Sequence, residues 1–141
     1  MGRRISKELV LLQEFNYKYS IVKPNIIKVF DKDEFLPRYA VEFKMPRDYP
    51  FRPPEVLINS ISLQMLLYST FKALILKKIT GIDCLCCESF LCPSKWTIAL
   101  NMPAMLKKIR NYLLLKRRVL WWFIASKIEQ HYMIYGITQY V

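Results

Sequence analysis

Glycine is scarce, 3 in 141 residues. That excludes collagen-like and Gly-rich repeats and leaves no material for a low-complexity linker. Acidic residues are outnumbered, 11 against 22 lysines and arginines, and histidine occurs once, at His131. Long apolar runs are missing. The densest runs from Val119 to Ala125, far short of the roughly 20 residues that span a bilayer, so no transmembrane helix and no membrane partner are expected. No secretory signal is expected either, because Lys7 and Glu8 follow Arg3 and Arg4 where an apolar core would be needed. Without secretion disulfides are not expected, and the four cysteines read as thiols or metal ligands.

Hydrophobic residues make up 53% and charged residues 23%, a folding composition that excludes wholesale disorder. The length suits one domain, 1–141. The net charge of +11 is uneven: residues 1–55 hold 11 basic and 8 acidic side chains, and residues 56–141 hold 11 basic and 3 acidic. A basic half suits nucleic acid, anionic membrane or acidic protein, or is simply a solvated helix face. Aromatics interleave only loosely with the lysines, so nucleic acid is not expected as a partner.

Hydrophobic periodicity sets the elements. Ile5, Leu9 and Leu12 recur at helical spacing, giving an amphipathic N-terminal helix over 3–15. Strands are expected over Tyr17–Val22, Ile26–Phe30, Arg38–Met45 and Glu55–Ile58; the third carries Tyr39, Val41, Phe43 and Met45 on one face. Asp31 to Pro37 reads as a charged connection. Four prolines between Pro46 and Pro54 make a rigid loop that cannot join a ladder. Residues 62–80 read as a helix, or a helix and a loop, ended by Gly81. Cys84, Cys86, Cys87 and Cys92 follow on an irregular stretch. A helix is expected over 102–118, with Met105, Ile109 and Leu113 inward and Lys107, Lys108, Arg110, Lys116, Arg117 and Arg118 on a basic face. A helical tail, 114–141, continues to Gly136. The expected class is α+β: an N-terminal helix, a four-stranded antiparallel meander, a cysteine-bearing loop and C-terminal helices.

Three pieces of this chain, in order, resemble the ubiquitin-conjugating enzyme family. Arg3-Arg4-Ile5-Ser6-Lys7-Glu8-Leu9 is similar to the family's opening helix, Arg-Leu/Ile-x-Lys-Glu-Leu. Tyr49-Pro50-Phe51-Arg52-Pro53-Pro54 is similar to its Tyr-Pro-Phe-x-Pro-Pro loop. A cysteine, then Trp96, then a helix at Pro103 to Leu113 is similar to its catalytic segment, where the cysteine precedes a tryptophan by eight or nine residues. The resemblance covers 3–113. Silent relatives have three residues between Tyr-Pro and Pro-Pro; here there are two, which favours the enzyme branch.

The resemblance implies acyl transfer. A cysteine thiolate takes the modifier's C-terminal carboxyl as a thioester and passes it to a lysine or to a ligase cysteine. Cys87 fits the motif best, nine residues before Trp96, with Phe90 and Leu91 standing where the family has two apolar residues pinning the turn. Cys84, followed by Leu85, is the second candidate and Cys86 the third. Zinc on Cys84, Cys86, Cys87 and Cys92 is the alternative, but four ligands crowded into nine residues are an unnatural knuckle and His131 is distant. No cofactor is implied, since ATP is used by the activating enzyme. By the same resemblance, Arg3, Arg4 and Lys7 face the activating enzyme, Phe51 anchors a ligase, and Trp96 belongs to the partner-binding set. The implied location is cytoplasmic and/or nuclear.

The chain departs from the family in one respect that matters. No His-Pro-Asn occurs anywhere, and position 79, where the asparagine would stand, is Ile79. A backbone N–H near Ser94 or the side chain of Asn101 is a candidate replacement donor. A non-catalytic adaptor of the same fold, binding ubiquitin or a ligase, is the alternative reading.

Overall fold

The structure is a computed structural model describing residues 2–33, 36–67, 77, 89–132 and 136. It is an α+β arrangement: one antiparallel sheet with helices at both ends of the chain. In chain order the elements are α1 (Arg3–Glu14), β1 (Lys18–Lys23), β2 (Ile26–Asp33), β3 (Leu36–Lys44), β4 (Glu55–Ile58), β5 (Ile61–Ser62), α2 (Leu63–Leu67) and α3 (Met102–Tyr132). The strands lie side by side in chain order, a plain meander, and every pairing is antiparallel.

The four expected strands form, and their register follows the period-two pattern. Val29 faces Val41 and Ile27 faces Phe43 across β2 and β3; all four are fully buried. Four expectations are corrected. The sheet has five strands among the described residues, because the turn at Asn59 and Ser60, both at positive φ, returns the chain as β5. Two residues are too short for a periodic signal to register. The connection at 31–37 is shorter than expected: β2 runs on to Asp33 and β3 starts at Leu36. Charge there reads as a connection in the sequence, yet the backbone stays paired, Asp33 with Leu36.

The third correction concerns the C-terminal helices. Residues 102–132 form one helix of 31 residues, roughly 46 Å long at 1.5 Å per residue, so the helical tail from 114 is its continuation. Neither glycine nor proline interrupts it after Pro103, and proline suits the first turn, where its missing N–H is no loss. Asn101 caps the start: its Oδ1 accepts the Ala104 N–H at 3.0 Å.

The core lies between the sheet and two helices. Ile5, Leu9 and Leu12 of α1 and Met102, Met105, Leu106 and Ile109 of α3 pack onto the inward faces of β2, β3 and β4. Burying one such side chain contributes about 1.5–3 kcal/mol. The expected basic face of α3 is also corrected. Lys107, Lys108, Arg117 and Arg118 are exposed, but Arg110 turns inward to Asp31, and Lys116 donates to the Leu66 carbonyl. Arg110 sits one turn from the fully buried Leu106, so helical phase carries it to the edge of the core. Among the described residues no helix is long and apolar enough to cross a membrane.

Candidate functional site

The described part of the candidate site is organised by one carboxylate. Glu8 lies on α1 between Ile5 and Leu9, on the face that meets the core, and is 1% exposed. Its two oxygens take three kinds of donor. The Tyr49 hydroxyl donates at 2.7–2.8 Å. The Arg4 Nε–H donates at 3.0 Å. The Met102 backbone N–H, at the start of α3, donates at 2.5 Å. A buried carboxylate is costly unless its lone pairs are filled; here they are. A carboxylate at the first turn of α3 also complements the positive end of the helix dipole, a stabilisation of about 0.3–1 kcal/mol or more when partly buried.

Glu8 therefore joins the three segments that carry the resemblance: the opening helix, the Pro-rich loop and the helix after Trp96. Two further bonds close the arrangement. The Trp96 indole N–H donates to the Pro50 carbonyl at 2.9 Å, with its ring 6.3 Å from that of Tyr49. The Arg4 Nη2 donates to the Leu100 carbonyl at 2.8 Å, and its guanidinium lies 5.9 Å from the Tyr49 ring centroid. Burial, then the bond to Glu8, raises the Tyr49 phenol well above its ordinary value, so it stays a proton donor.

The loop itself is stiff. The Tyr49 N–H donates to the Pro46 carbonyl and the Phe51 N–H to the Asp48 carbonyl. Arg52 Nε pairs with Asp48 at 2.7 Å; both are exposed, so this pair adds little stability. Pro54 and Tyr49 are buried, whereas Phe51 is 73% exposed. A phenyl ring so exposed on a braced loop is not held there by packing. Ile98, half exposed, lies between Trp96 and Leu100, the two residues tied back to the loop and to α1.

The sequence-predicted residues divide clearly. Arg3 and Lys7 stand exposed on α1, while Arg4 is committed to Glu8 and Leu100. Trp96 is half-buried and braces the loop. Phe51 projects outward. Cys84, Cys86 and Cys87 lie outside the described residues, as does Ile79. Cys92 is described: its Sγ lies 3.3 Å from the Ser94 Oγ. Among the described residues no group of three His, Cys, Asp or Glu is placed to hold a metal; three of the four candidate zinc ligands are not among them. After Cys87, Phe90 is buried and stacks at 6.2 Å on Tyr112 of α3, whose hydroxyl accepts the Phe90 N–H at 3.3 Å. Asn101 spends its side-chain oxygen on the helix cap, which leaves only its amide N–H groups for any other task.

Glu8 was missed as the organising residue, although a signal existed. It falls at i+3 from Ile5 on the apolar stripe, and a carboxylate on a buried stripe needs partners. A second buried network was missed for the same reason. Asp31 follows Ile27 and Val29 on the inward face of β2. It accepts from the Tyr39 hydroxyl at 2.8 Å and from Arg110 Nη2 at 2.7 Å. Burial, then the Asp31 bond, raises the Tyr39 phenol, and burial raises Tyr17 beside it. The bond to Asp31 holds Arg110 still more firmly protonated.

No protein-family model matches the chain, and no curated protein or solved structure matches it either.

Proposed function

We propose that this chain conjugates ubiquitin or a ubiquitin-like protein, with a ubiquitin-conjugating-enzyme-like fold and Cys87 as nucleophile. The observation that carries the reading is the buried Glu8 junction. It draws together the Lys-Glu-Leu helix, the Tyr-Pro-Phe-x-Pro-Pro loop and the helix after Trp96, pieces that resemble one family and lie far apart in sequence. An α+β meander in the expected order agrees with that fold, and the exposed Phe51 suits a ligase contact. A rigid aromatic anchor loses little entropy on docking.

The chemistry is thiol exchange followed by acyl transfer. The Cys87 thiolate attacks the thioester carbonyl of the modifier held by its activating enzyme. A new C–S bond forms, and the activating enzyme's thiolate leaves. An amine or ligase thiolate then attacks the same carbonyl and releases Cys87. Ile79 in place of asparagine bears on the second step. Removing one oxyanion donor typically costs about 10²–10³ in rate, so discharge onto free lysine, whose amine must also lose a proton, is slow, whereas transfer to a thiolate, with no proton to lose, suffers less.

The same Ile79 favours a second reading, a non-catalytic adaptor of this fold binding ubiquitin or a ligase. Charging with activating enzyme, ATP and ubiquitin, read on a non-reducing gel, separates the two. The expected result is a reducible adduct that Cys87→Ser converts to a reductant-resistant ester. If Cys84→Ser traps the adduct while Cys87→Ser still charges, the nucleophile is Cys84. Failure of the wild-type chain to charge leaves the adaptor.

A further inference from the structure

A cleft of about 770 Å³ opens between the end of α1 and the sheet, lined in part by Phe15, Asn16, Tyr17, Lys18, Phe30 and Arg38. Its size falls within the roughly 300–1,000 Å³ of small-molecule sites. None of the residues assigned to modifier transfer lines it. We propose that this cleft binds a planar anion of nucleotide size, an aromatic ring joined to a phosphate.

The floor of the cleft is the Asp31 network. Among the described residues Asp31 is the only acidic one lining it, and both its oxygens are engaged, by Arg110 and by Tyr39. Its charge is thereby compensated and does not repel an anion. The rim is cationic. Lys18 and Arg38 are exposed, and among the described residues neither has an ion-pair partner. Lys28 adds positive charge nearby, with its Nζ 5.7 Å from the Phe30 ring centroid.

The walls supply the surface for a ring. Phe15 is 63% exposed and Phe30 is half exposed, so two phenyl groups border one concavity without being covered by the core. Exposed aromatics that share a concavity with cations provide stacking area and charge for one ligand. Asn16 and the Tyr17 phenol add polar groups able to meet ring heteroatoms or a sugar hydroxyl. A phosphate alone would leave the phenyl walls unused, and an uncharged ring would leave the cations unused.

The test is a titration of the full chain with 5′-AMP, in parallel with adenosine and with inorganic phosphate, followed by calorimetry and by amide shifts. The expected result is saturable AMP binding at least tenfold tighter than either fragment, weakened by added salt, with shifts confined to 15–18, 30–31, 38–40, Asn59 and Arg110. Arg38→Gln and Lys18→Gln each weaken AMP about tenfold, the loss of one charge-assisted contact. Phe15→Ala weakens it about fivefold. Lys23→Gln, at the other end of β1, leaves it unchanged. All four positions are exposed, so an unchanged melting curve confirms that the variants fold. The proposal is overturned if millimolar AMP produces no saturable shift. It is overturned equally if adenosine or phosphate alone matches AMP, if an acidic peptide lacking aromatic groups displaces AMP at lower concentration, or if the rim variants bind as well as wild type. Neither ubiquitin nor a thiol enters the experiment, so its outcome is independent of the charging assay.

Discussion

Replacing Glu8 is the sharpest perturbation this structure offers. Glu8→Ala leaves the Tyr49 hydroxyl and the Met102 N–H without their acceptor. An unmet buried donor costs about 1–3 kcal/mol, and hydrogen bonds to a charged group contribute about 1.5–3 kcal/mol each. The Arg4 side chain is 32% exposed, so it returns to water and its share is small. The expected loss for Glu8→Ala is about 3–5 kcal/mol, about a fifth or more of a typical domain's stability of 5–15 kcal/mol. At this chain length the melting temperature should fall by about 10–20 °C. Glu8→Gln keeps the shape and one acceptor but turns an N–H₂ toward donors, so about 1–3 kcal/mol is expected. Urea denaturation gives both numbers. A double-mutant cycle of Glu8→Gln with Tyr49→Phe isolates their bond, and a coupling of about 1 kcal/mol or more is expected. Glu8→Gln within about 0.5 kcal/mol of wild type, with an additive cycle, would refute the reasoning.

Phe51→Ala should leave the urea midpoint within about 0.5 kcal/mol of wild type while abolishing ligase-dependent discharge. A loss near the 3–5 kcal/mol of a buried phenyl would mean that the ring packs inside. Asp31→Asn should cost about 1–3 kcal/mol in the same assay, less than Glu8→Ala, because the Arg110 side chain is 31% exposed and can rehydrate; an equal or greater loss contradicts that ranking. Stability should also fail at high pH. The Tyr39 and Tyr49 phenols are raised in the folded chain, chiefly by burial, whereas unfolded phenols titrate near about 10. Their contribution is therefore complete below about pH 10 and is lost as pH rises above it. Tyr49→Phe should flatten that loss; an unchanged alkaline limb would count against it.

The sheet was legible because each of its four longer strands repeats at period two or is bounded by turn residues. Tyr39, Val41, Phe43 and Met45 could be placed on one inward face from spacing alone. The stiff loop was legible because proline dictates backbone conformation locally. The partners of buried charges were not. Nothing local connects Glu8 to Met102, or Asp31 to Arg110; those pairs exist only once the helices cross the sheet. Arg110 read as surface because its neighbours Lys107 and Lys108 are surface, although its phase one turn after Leu106 argued otherwise. The extent of α3 was also blurred, since apolar residues on several of its faces from Val119 onward weaken any single-face pattern. The candidate nucleophile Cys87 rests on its spacing to Trp96, while the surroundings of that spacing, from Phe90 to Asn101, are seen directly.

The Glu8 junction has a consequence for the order in which the newborn chain is finished. Its partners are made at different times: Arg4 four residues before it, Tyr49 41 residues later and Met102 94 residues later. At a synthesis rate of about 5–20 residues per second, roughly 3–10 s separate the appearance of Tyr49 from that of Met102. For that interval the helix, meander and Pro-rich loop can assemble with the carboxylate held by tyrosine and arginine alone. The last long helix then docks onto a site already waiting for its first N–H. A chain stalled on the ribosome before Met102 would keep the sheet face that receives α3 uncovered, and that face closes only once Met102, Met105, Leu106 and Ile109 have followed.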